Sequence, residues 1–66
     1  YVAERHIESM ESVLGVIGVK VKYLGGKAVN ASPEYEDCRK IALESGISLQ
    51  DVYQQAMAEA RRQYLA

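Results

Sequence analysis

The clearest pattern in the chain is an alternation of apolar residues with glycine and lysine between Val16 and Tyr23. Apolar side chains at every second position turn one face of a strand toward a core and leave the other face to solvent or a ligand. The β-branched residues among them favour a strand over a helix. The apolar face comprises Ile17, Val19, Val21 and Tyr23, and the opposite face carries Gly18, Lys20 and Lys22.

The segment from Val2 to Val13, which precedes this run, is polar and less distinctive. We interpret it as a strand that leads into a turn at Leu14-Gly15. A helix is the alternative, because Glu4 and Glu8 lie four residues apart and would share one helical face. The clear strand that follows favours the extended form.

Glycines mark two further positions in the strand region. Gly18, inside the central strand, marks either a bulge or the close approach of another backbone. Gly25-Gly26 is a two-residue hairpin signal, because both glycines tolerate positive φ. Lys27 to Ala31 would then return as a short third strand.

Helix signals follow the strands. Ser32 suits a cap and Pro33 suits the first helical position, where its missing N–H costs nothing. Gly46 is placed to end this helix in a left-handed conformation. Ser48 caps a second helix, and Asp51, three residues later, approximates a capping box.

These patterns predict an α+β fold: a two- or three-stranded antiparallel β-meander (residues 1–31), then a two-helix hairpin (residues 32–66) packed on one face. A chain of 66 residues buries only ~60% of the surface of its unfolded form. It also begins without a methionine, so we expect a piece of a larger protein that needs a partner surface or self-associates. The predicted core comprises Ile17, Val19, Val21, Tyr23, Tyr35, Cys38, Ile41, Ala42, Val52, Tyr53 and Ala56.

Charge and cysteine content narrow the class of protein. The net charge of -1 gives no overall attraction to DNA or to an anionic membrane. A single cysteine forms no internal disulfide and suits a reducing compartment. No signal peptide is recognisable, and no apolar run approaches the ~20 residues that span a bilayer. We therefore expect a cytoplasmic protein without a membrane partner.

Two charged groups are candidates for binding chemistry. The carboxylates of Glu34, Glu36 and Asp37 suit a Mg²⁺ or Mn²⁺ site beside phosphate oxygens, or they simply compensate the dipole of a helix start. Lys20 and Lys22 suit phosphate binding, or they form a solvated strand face. The glycines match no phosphate-loop motif.

Two other arrangements carry less weight. Cys38 and His6 would supply only two of the ligands that a zinc site needs. The helical hairpin also resembles a DNA-binding helix-turn-helix, in which the residues facing the major groove would be Ser48, Leu49, Gln50 and Gln54. Acidic residues crowd its first helix, whereas DNA readers carry a basic face, so nucleic acid is not the expected partner. A DNA-binding or protein-interaction module is the alternative function.

Two segments resemble a known family. Gly15–Lys20 and Pro33–Ala42, which contains Pro-Glu-Tyr-Glu-Asp-Cys-Arg, are similar to the C-terminal region of LarC-type nickel-insertion proteins. The likeness extends to Val52-Tyr53, and Arg5 fits an upstream family arginine. Ser12 replaces a frequent threonine. Full-length members are several times longer, so this chain resembles only their C-terminal subdomain.

The resemblance implies a parent nickel chelatase or cyclometallase, of the lyase class, that completes the nickel-pincer nucleotide cofactor of lactate racemase. Such proteins insert nickel into a pyridinium mononucleotide and consume CTP with Mn²⁺ or Mg²⁺. Their C-terminal region is associated with nucleotide binding and homo-oligomer formation. By motif position, Lys20 and Lys22 become nucleotide-binding candidates, and Glu34, Glu36 and Asp37 become metal candidates. The isolated segment is not expected to be active.

Overall fold

The computed structural model describes residues 4–65, which form three strands followed by two helices. The strands make one antiparallel sheet in the order β1-β2-β3, and both helices pack against it. The predicted α+β fold, with a helical hairpin after a three-stranded meander, is confirmed. The elements are β1 at Glu4–Ser12, β2 at Gly15–Leu24, β3 at Lys27–Pro33, α1 at Tyr35–Ser45 and α2 at Leu49–Tyr64.

The central strand β2 divides the molecule into two faces. Ile17, Val19 and Val21 have no exposed surface and contact the helices. We call the sheet face on which they lie the inner face. The alternating positions Lys20 and Lys22 lie on the opposite, outer face, and Lys20 is exposed. Each fully buried aliphatic side chain contributes roughly 1.5–3 kcal/mol to folding, so the inner face holds the fold together.

The observed core differs from the predicted one at a few positions. Tyr35 was predicted to be buried, and this is wrong, because its side chain is 54% exposed. Met10, on an otherwise polar face of β1, is buried opposite Ile17 and was not predicted. The buried residues are Met10, Ile17, Val19, Val21, Ala31, Cys38, Val52, Ala56 and Ala60, and the predicted Tyr23, Ile41, Ala42 and Tyr53 pack around them partly exposed.

The predicted start of α1 at Ser32-Pro33 is also wrong. Both residues belong to β3, where Ser32 lies opposite Lys20 and Pro33 opposite Val19. The N-cap of α1 is Glu34, which makes no side-chain cap hydrogen bond. Pairing with β2 outweighs the local cap signal, and a proline is tolerated at the end of an edge strand. The helix thus begins at Tyr35, whose side chain lies on its first turn and remains exposed.

The two turns and the bulge set the register of the sheet. The first turn occupies residues 13–14, one position earlier than predicted, and the Ser12 hydroxyl accepts the Leu14 N–H at 3.1 Å. The predicted glycine turn at residues 25–26 is confirmed, with φ of 61° and 80°. A bulge in β3 leaves Val29 without a cross-strand partner.

The helix boundaries other than the first follow the sequence signals. Gly46 adopts φ 75°, and its N–H donates to the Ala42 carbonyl at 3.0 Å. The Ser48 hydroxyl accepts the Asp51 N–H at 3.2 Å, as a capping residue should. Neither helix in the described part of the chain is long and apolar enough to cross a membrane.

Candidate functional site

A polar cavity of about 240 Å³ lies on the outer face of the sheet. Two cross-strand rows build it. In the first row Lys22 lies between Arg5 and Asn30, and in the second Lys20 lies next to Ser32. Side chains on one face of neighbouring strands stand about 5 Å apart, so these five polar groups surround a common space. The structure thus brings together both lysines that the sequence singled out.

The cavity is electropositive. It contains one guanidinium and two ammonium groups, from Arg5, Lys20 and Lys22. Among residues 4–65, ion pairs join neither Arg5 nor Lys22 to a carboxylate. Arginine binds phosphate through two parallel N–H donors and lysine as a point charge. The Asn30 amide and the Ser32 hydroxyl add neutral hydrogen-bonding groups, so the cavity suits a phosphate-bearing ligand.

The bulge in β3 explains why Asn30 and Ser32 were missed. Counted directly from the glycine turn, Lys22 would face Val29, and Asn30 would lie on the inner face. The extra residue shifts the register, so that Lys22 lies opposite Asn30. A one-residue slip moves every following side chain to the other face of a strand. No sequence signal at residues 27–31 announces this bulge.

At one end of the cavity, β3 passes into α1 beside Gly18. The Glu34 N–H donates to the Gly18 carbonyl at 2.7 Å, which extends the β2–β3 ladder by one residue. The Glu34 carbonyl instead accepts the Cys38 N–H at 3.2 Å, in the first turn of the helix. The Gly18 N–H therefore loses its ladder partner, and the Asp37 carboxylate accepts it at 2.7 Å. Asp37 thus has a structural role at this corner.

A side chain at residue 18 would crowd this contact. A Cβ at this position would lie 3.0 Å from Asp37 Oδ2 and 3.2 Å from Glu34 Cγ, closer than ordinary packing allows. Neither predicted reason for Gly18 holds as stated: the bulge lies elsewhere in the sheet, and the close neighbours are the side chains of Glu34 and Asp37 and not another backbone. Glu34 and Asp37 both flank Gly18.

The three predicted metal-binding carboxylates have different partners. Glu34 Oε1 lies 4.0 Å from Lys20 Nζ, is buried, and accepts no hydrogen bond from the described part of the chain. Glu36 is exposed and lies 3.8 Å from Arg39, whereas Asp37 binds the Gly18 N–H. Within residues 4–65, no group of three or more potential metal-ligating side chains converges. A divalent ion here would need phosphate oxygens as further ligands, with Glu34 as the adjacent carboxylate.

The remaining candidates lie apart from the cavity. Cys38 is buried in the core, and burial, together with the Asp37 charge, raises the pKa of its thiol. The His6 ring packs edge-on against Tyr23 and lies 3.4 Å from Glu4. The Cys38 and His6 side chains thus contact different groups. Lys27 does not line the cavity.

Only some of the residues that a helix-turn-helix protein would present to DNA are exposed and free to do so. Leu49, which that reading also placed toward DNA, packs against the core. The Ser48 hydroxyl caps α2, whereas Gln50 and Gln54 are exposed. The two helices of the hairpin cover the inner face of the sheet, whereas the basic cavity lies on the outer face.

Comparison with known proteins supplies the family. A family model described as nickel insertion protein matches residues 1–53. The chain belongs to the nickel insertion protein family. A putative nickel insertion protein of Roseiflexus castenholzii is 46% identical over 57 residues, which cover 86% of this chain and 14% of that protein.

A second relative and a solved structure specify the region. The pyridinium-3,5-bisthiocarboxylic acid mononucleotide nickel insertion protein of Thermotoga petrophila is 47% identical over 51 residues, covering 77% of this chain and 13% of that protein. The structure is LarC2, the apo C-terminal domain of a cyclometallase involved in synthesis of the NPN cofactor of lactate racemase. It matches 89% of this chain and 40% of its own, with a TM-score of 0.73 and 29% identity. The chain is therefore part of a LarC-type C-terminal domain and spans about one seventh of the curated relatives' length.

Proposed function

We propose that the parent protein inserts nickel into the pyridinium bisthiocarboxylic acid mononucleotide, and that this segment supplies the phosphate-binding part of its nucleotide site. Family membership and the relatives' names support the first part. The single observation that carries the second is the convergence of Arg5, Lys20 and Lys22 on one outer-face cavity. Nickel is the substrate metal of this reaction.

The nucleotide proposed for the cavity is CTP, with Mn²⁺ or Mg²⁺. Mg²⁺ is commonly bound by one or two carboxylates together with substrate phosphates. Glu34 fits the role of that carboxylate, because its Oε1 accepts no hydrogen bond from any group within residues 4–65. Lys20 Nζ, 4.0 Å from this oxygen, limits the room for a cation, so the phosphates must supply most of the ligands. The ion would neutralise phosphate charge.

The residues of this chain have separable tasks in the proposed site. The Arg5 guanidinium would orient one phosphate through paired N–H donors, and the two lysines would balance the remaining charge. Ser32 and Asn30 lie at the β3 side of the cavity and would donate hydrogen bonds to the ligand. The groups that handle nickel would come from elsewhere in the parent protein, so a lyase activity belongs to the whole protein. We place that protein in the cytoplasm, which suits the unpaired Cys38.

Titration calorimetry with Mn²⁺ and CTP tests the nucleotide assignment. Lys20→Ala should weaken binding at least about tenfold, which corresponds to about 1.4 kcal/mol. Lys27→Ala is the matched control, because Lys27 is an exposed lysine of the same sheet that lies outside the cavity. An equal loss in both variants would show nonspecific charge attraction, and no binding by this chain or by the full-length protein would refute the assignment.

The role of Glu34 can be examined separately. Glu34→Gln should reduce the dependence of CTP binding on Mn²⁺ while leaving metal-free binding in place, since the amide is a poorer ligand for a hard cation. Glu36→Gln serves as the control, because Glu36 is exposed and paired with Arg39. An unchanged metal dependence in Glu34→Gln would rule out Glu34 as a ligand.

The second proposed contribution of this segment is assembly. We propose that it carries a surface through which copies of the parent protein form a homo-oligomer. The support is the exposed apolar area of a small chain, where Ile7 and Leu43 are each 72% exposed and Val16 is 65% exposed. Contiguous exposed apolar patches mark interaction sites, and we propose that these side chains contribute to such a patch in the parent protein.

A further inference from the structure

Glu34 holds a carboxylate at one end of the basic cavity. Its backbone is extended, with φ of -69° and ψ of 127°, and its N–H donates to the Gly18 carbonyl, so it continues β3 by one residue. Side chains two residues apart along a strand share one face of the sheet. Glu34 therefore lies on the outer face next to Ser32, just beyond the residues that line the cavity.

Gly18 gives the Glu34 side chain room to lie across β2. A Cβ at residue 18 would lie 3.2 Å from Glu34 Cγ and 3.8 Å from Glu34 Cβ, so the glutamate occupies the space that another side chain would need. The φ angle of Gly18 lies outside the left-handed region, and any residue could adopt its backbone. The absent Cβ is thus the property of glycine that this position uses.

The Glu34 carboxylate reaches Lys20 without forming a hydrogen bond to it. The 4.0 Å between Glu34 Oε1 and Lys20 Nζ exceeds hydrogen-bond distance. This oxygen is buried and accepts no hydrogen bond from any group within residues 4–65, which is a costly arrangement for a polar atom. The side chain as a whole remains 31% exposed, so a ligand in the cavity can still reach the carboxylate.

The three cations of the cavity therefore differ in their counter-charge. Within residues 4–65, Lys20 has a carboxylate beside it, whereas Arg5 and Lys22 form no ion pair. A free phosphate that contacts Lys20 meets the negative charge of Glu34 at short range. A phosphate that carries a divalent cation meets the same carboxylate as a ligand for that cation. Glu34 thus opposes the first ligand and favours the second.

We propose that Glu34, held across Gly18, makes the cavity select metal-bound phosphate over free phosphate. Glu34 determines the specificity, and Gly18 is a positioning residue that acts through it. The class of ligand selected is a polyphosphate that carries a divalent cation, and the class disfavoured is the same anion without its metal. The selection rests on the proposed binding of phosphate in this cavity and adds a penalty for the metal-free ligand.

Calorimetry with inorganic pyrophosphate in EDTA measures the opposing effect of Glu34. Gly18→Ala should displace the Glu34 side chain, and Glu34→Gln removes its charge at nearly constant size. Both variants should bind metal-free pyrophosphate at least about threefold tighter, as expected when a unit charge a few ångströms from the ligand is removed. The gain should disappear in excess Mg²⁺. A damaged site would bind more weakly, so tighter binding distinguishes positioning from a merely structural role.

Three further variants control for charge and for folding. Glu36→Gln makes the same change in net charge at an exposed residue paired with Arg39 and should leave both affinities unchanged. Gly18→Ala combined with Glu34→Gln should bind no tighter than Glu34→Gln alone, because Gly18 acts through the Glu34 charge. Glu34→Asp keeps the charge on a shorter side chain that withdraws from Lys20, so it tests the placement even if Gly18→Ala fails to fold.

The outcomes distinguish the selection from the proposed function. If Lys20→Ala weakens pyrophosphate binding but neither Gly18→Ala nor Glu34→Gln strengthens it without metal, the cavity binds phosphate and the selection is wrong. An equal gain in Glu36→Gln would reveal a general charge effect and would also overturn it. A gain in Glu34→Gln that neither Gly18→Ala nor Glu34→Asp shares would overturn the role of Gly18. Absence of binding by every protein would refute phosphate binding and the selection together.

Discussion

The inner and outer faces of β2 are made from neighbouring residues, yet they differ in burial and charge. Ile17, Val19 and Val21 have no exposed surface, whereas Lys20 is exposed and Lys22 is partly so. Stability depends on the first set and the proposed phosphate binding on the second. Because the two sets alternate along one strand, substitutions at adjacent positions should separate folding from binding.

The largest effect is expected for Ile17→Ala. Removing a fully buried isoleucine side chain loses transfer free energy and leaves a cavity, at a cost of about 2–5 kcal/mol. A domain this small has a total stability of roughly that size, so the variant should be largely unfolded in urea titrations. Val16→Ala, at a 65% exposed neighbour, should change the free energy of unfolding by no more than ~0.5 kcal/mol. Similar costs at both positions would contradict the two-face description.

A smaller effect is expected for Asp37→Ala, at the strand-to-helix corner. The Gly18 N–H would lose its acceptor at 2.7 Å, and an unpaired, partly buried donor costs about 1–3 kcal/mol. Glu36→Ala, in the same helical turn, removes only an exposed ion pair with Arg39, which is worth about 0–1 kcal/mol. Chemical denaturation of both variants measures the difference. If Glu36→Ala proved the more damaging change, the structural role of Asp37 would be refuted.

The smallest predicted effect is a loss of stability at alkaline pH. Burial raises the pKa of the Cys38 thiol above its ordinary value of 9.0, and the Asp37 charge adds to this. Above pH 9 the unfolded chain therefore releases a proton that the folded chain keeps. The free energy of unfolding should fall as pH rises through this range, by up to ~1.4 kcal/mol per pH unit.

Cys38→Ala is the control for this pH effect, and the slopes of stability against pH are compared rather than the absolute stabilities. The slope just above pH 9 should become flatter in the variant. Burial also raises the pKa of Tyr64 from 10.0, so a slope above pH 10 should remain in both proteins. An identical slope near pH 9 in the two proteins would show that Cys38 does not titrate differently on folding.

Sequence patterns predicted the central strand and most of the core. Burial of one face of a strand makes apolar residues recur at every second position, and this alternation is visible in the sequence alone. The glycine turn and the Ser48 cap were predictable for a similar reason, since each depends on a residue's own conformational or hydrogen-bonding preference. The start of α1 was not, because Ser32 and Pro33 suit both a helix cap and the end of an edge strand. Pairing with Lys20 and Val19 decides between these structures.

The candidate site was predicted in part. Lys20 and Lys22 could be placed together from the alternation alone. Asn30 and Ser32 joined them only through the bulge at Val29, which reverses the faces of the following residues. Arg5 lines the cavity because β1 pairs with β2 in one register, and register depends on the whole hairpin. The family resemblance, which includes Arg5, was confirmed by family membership, but it specified no contacts.

The most direct test of the outer-face binding site is a map of backbone amide shifts on adding CTP with Mg²⁺ to the isotope-labelled chain. The account predicts that the largest shifts occur at Lys20, Lys22, Asn30 and Ser32, the residues that line the cavity with Arg5. The backbone amides of Gln50 and Gln54, two exposed residues of α2, should change little. Largest shifts on α2, or shifts spread evenly over both sides of the molecule, would contradict the assignment of nucleotide binding to the outer face.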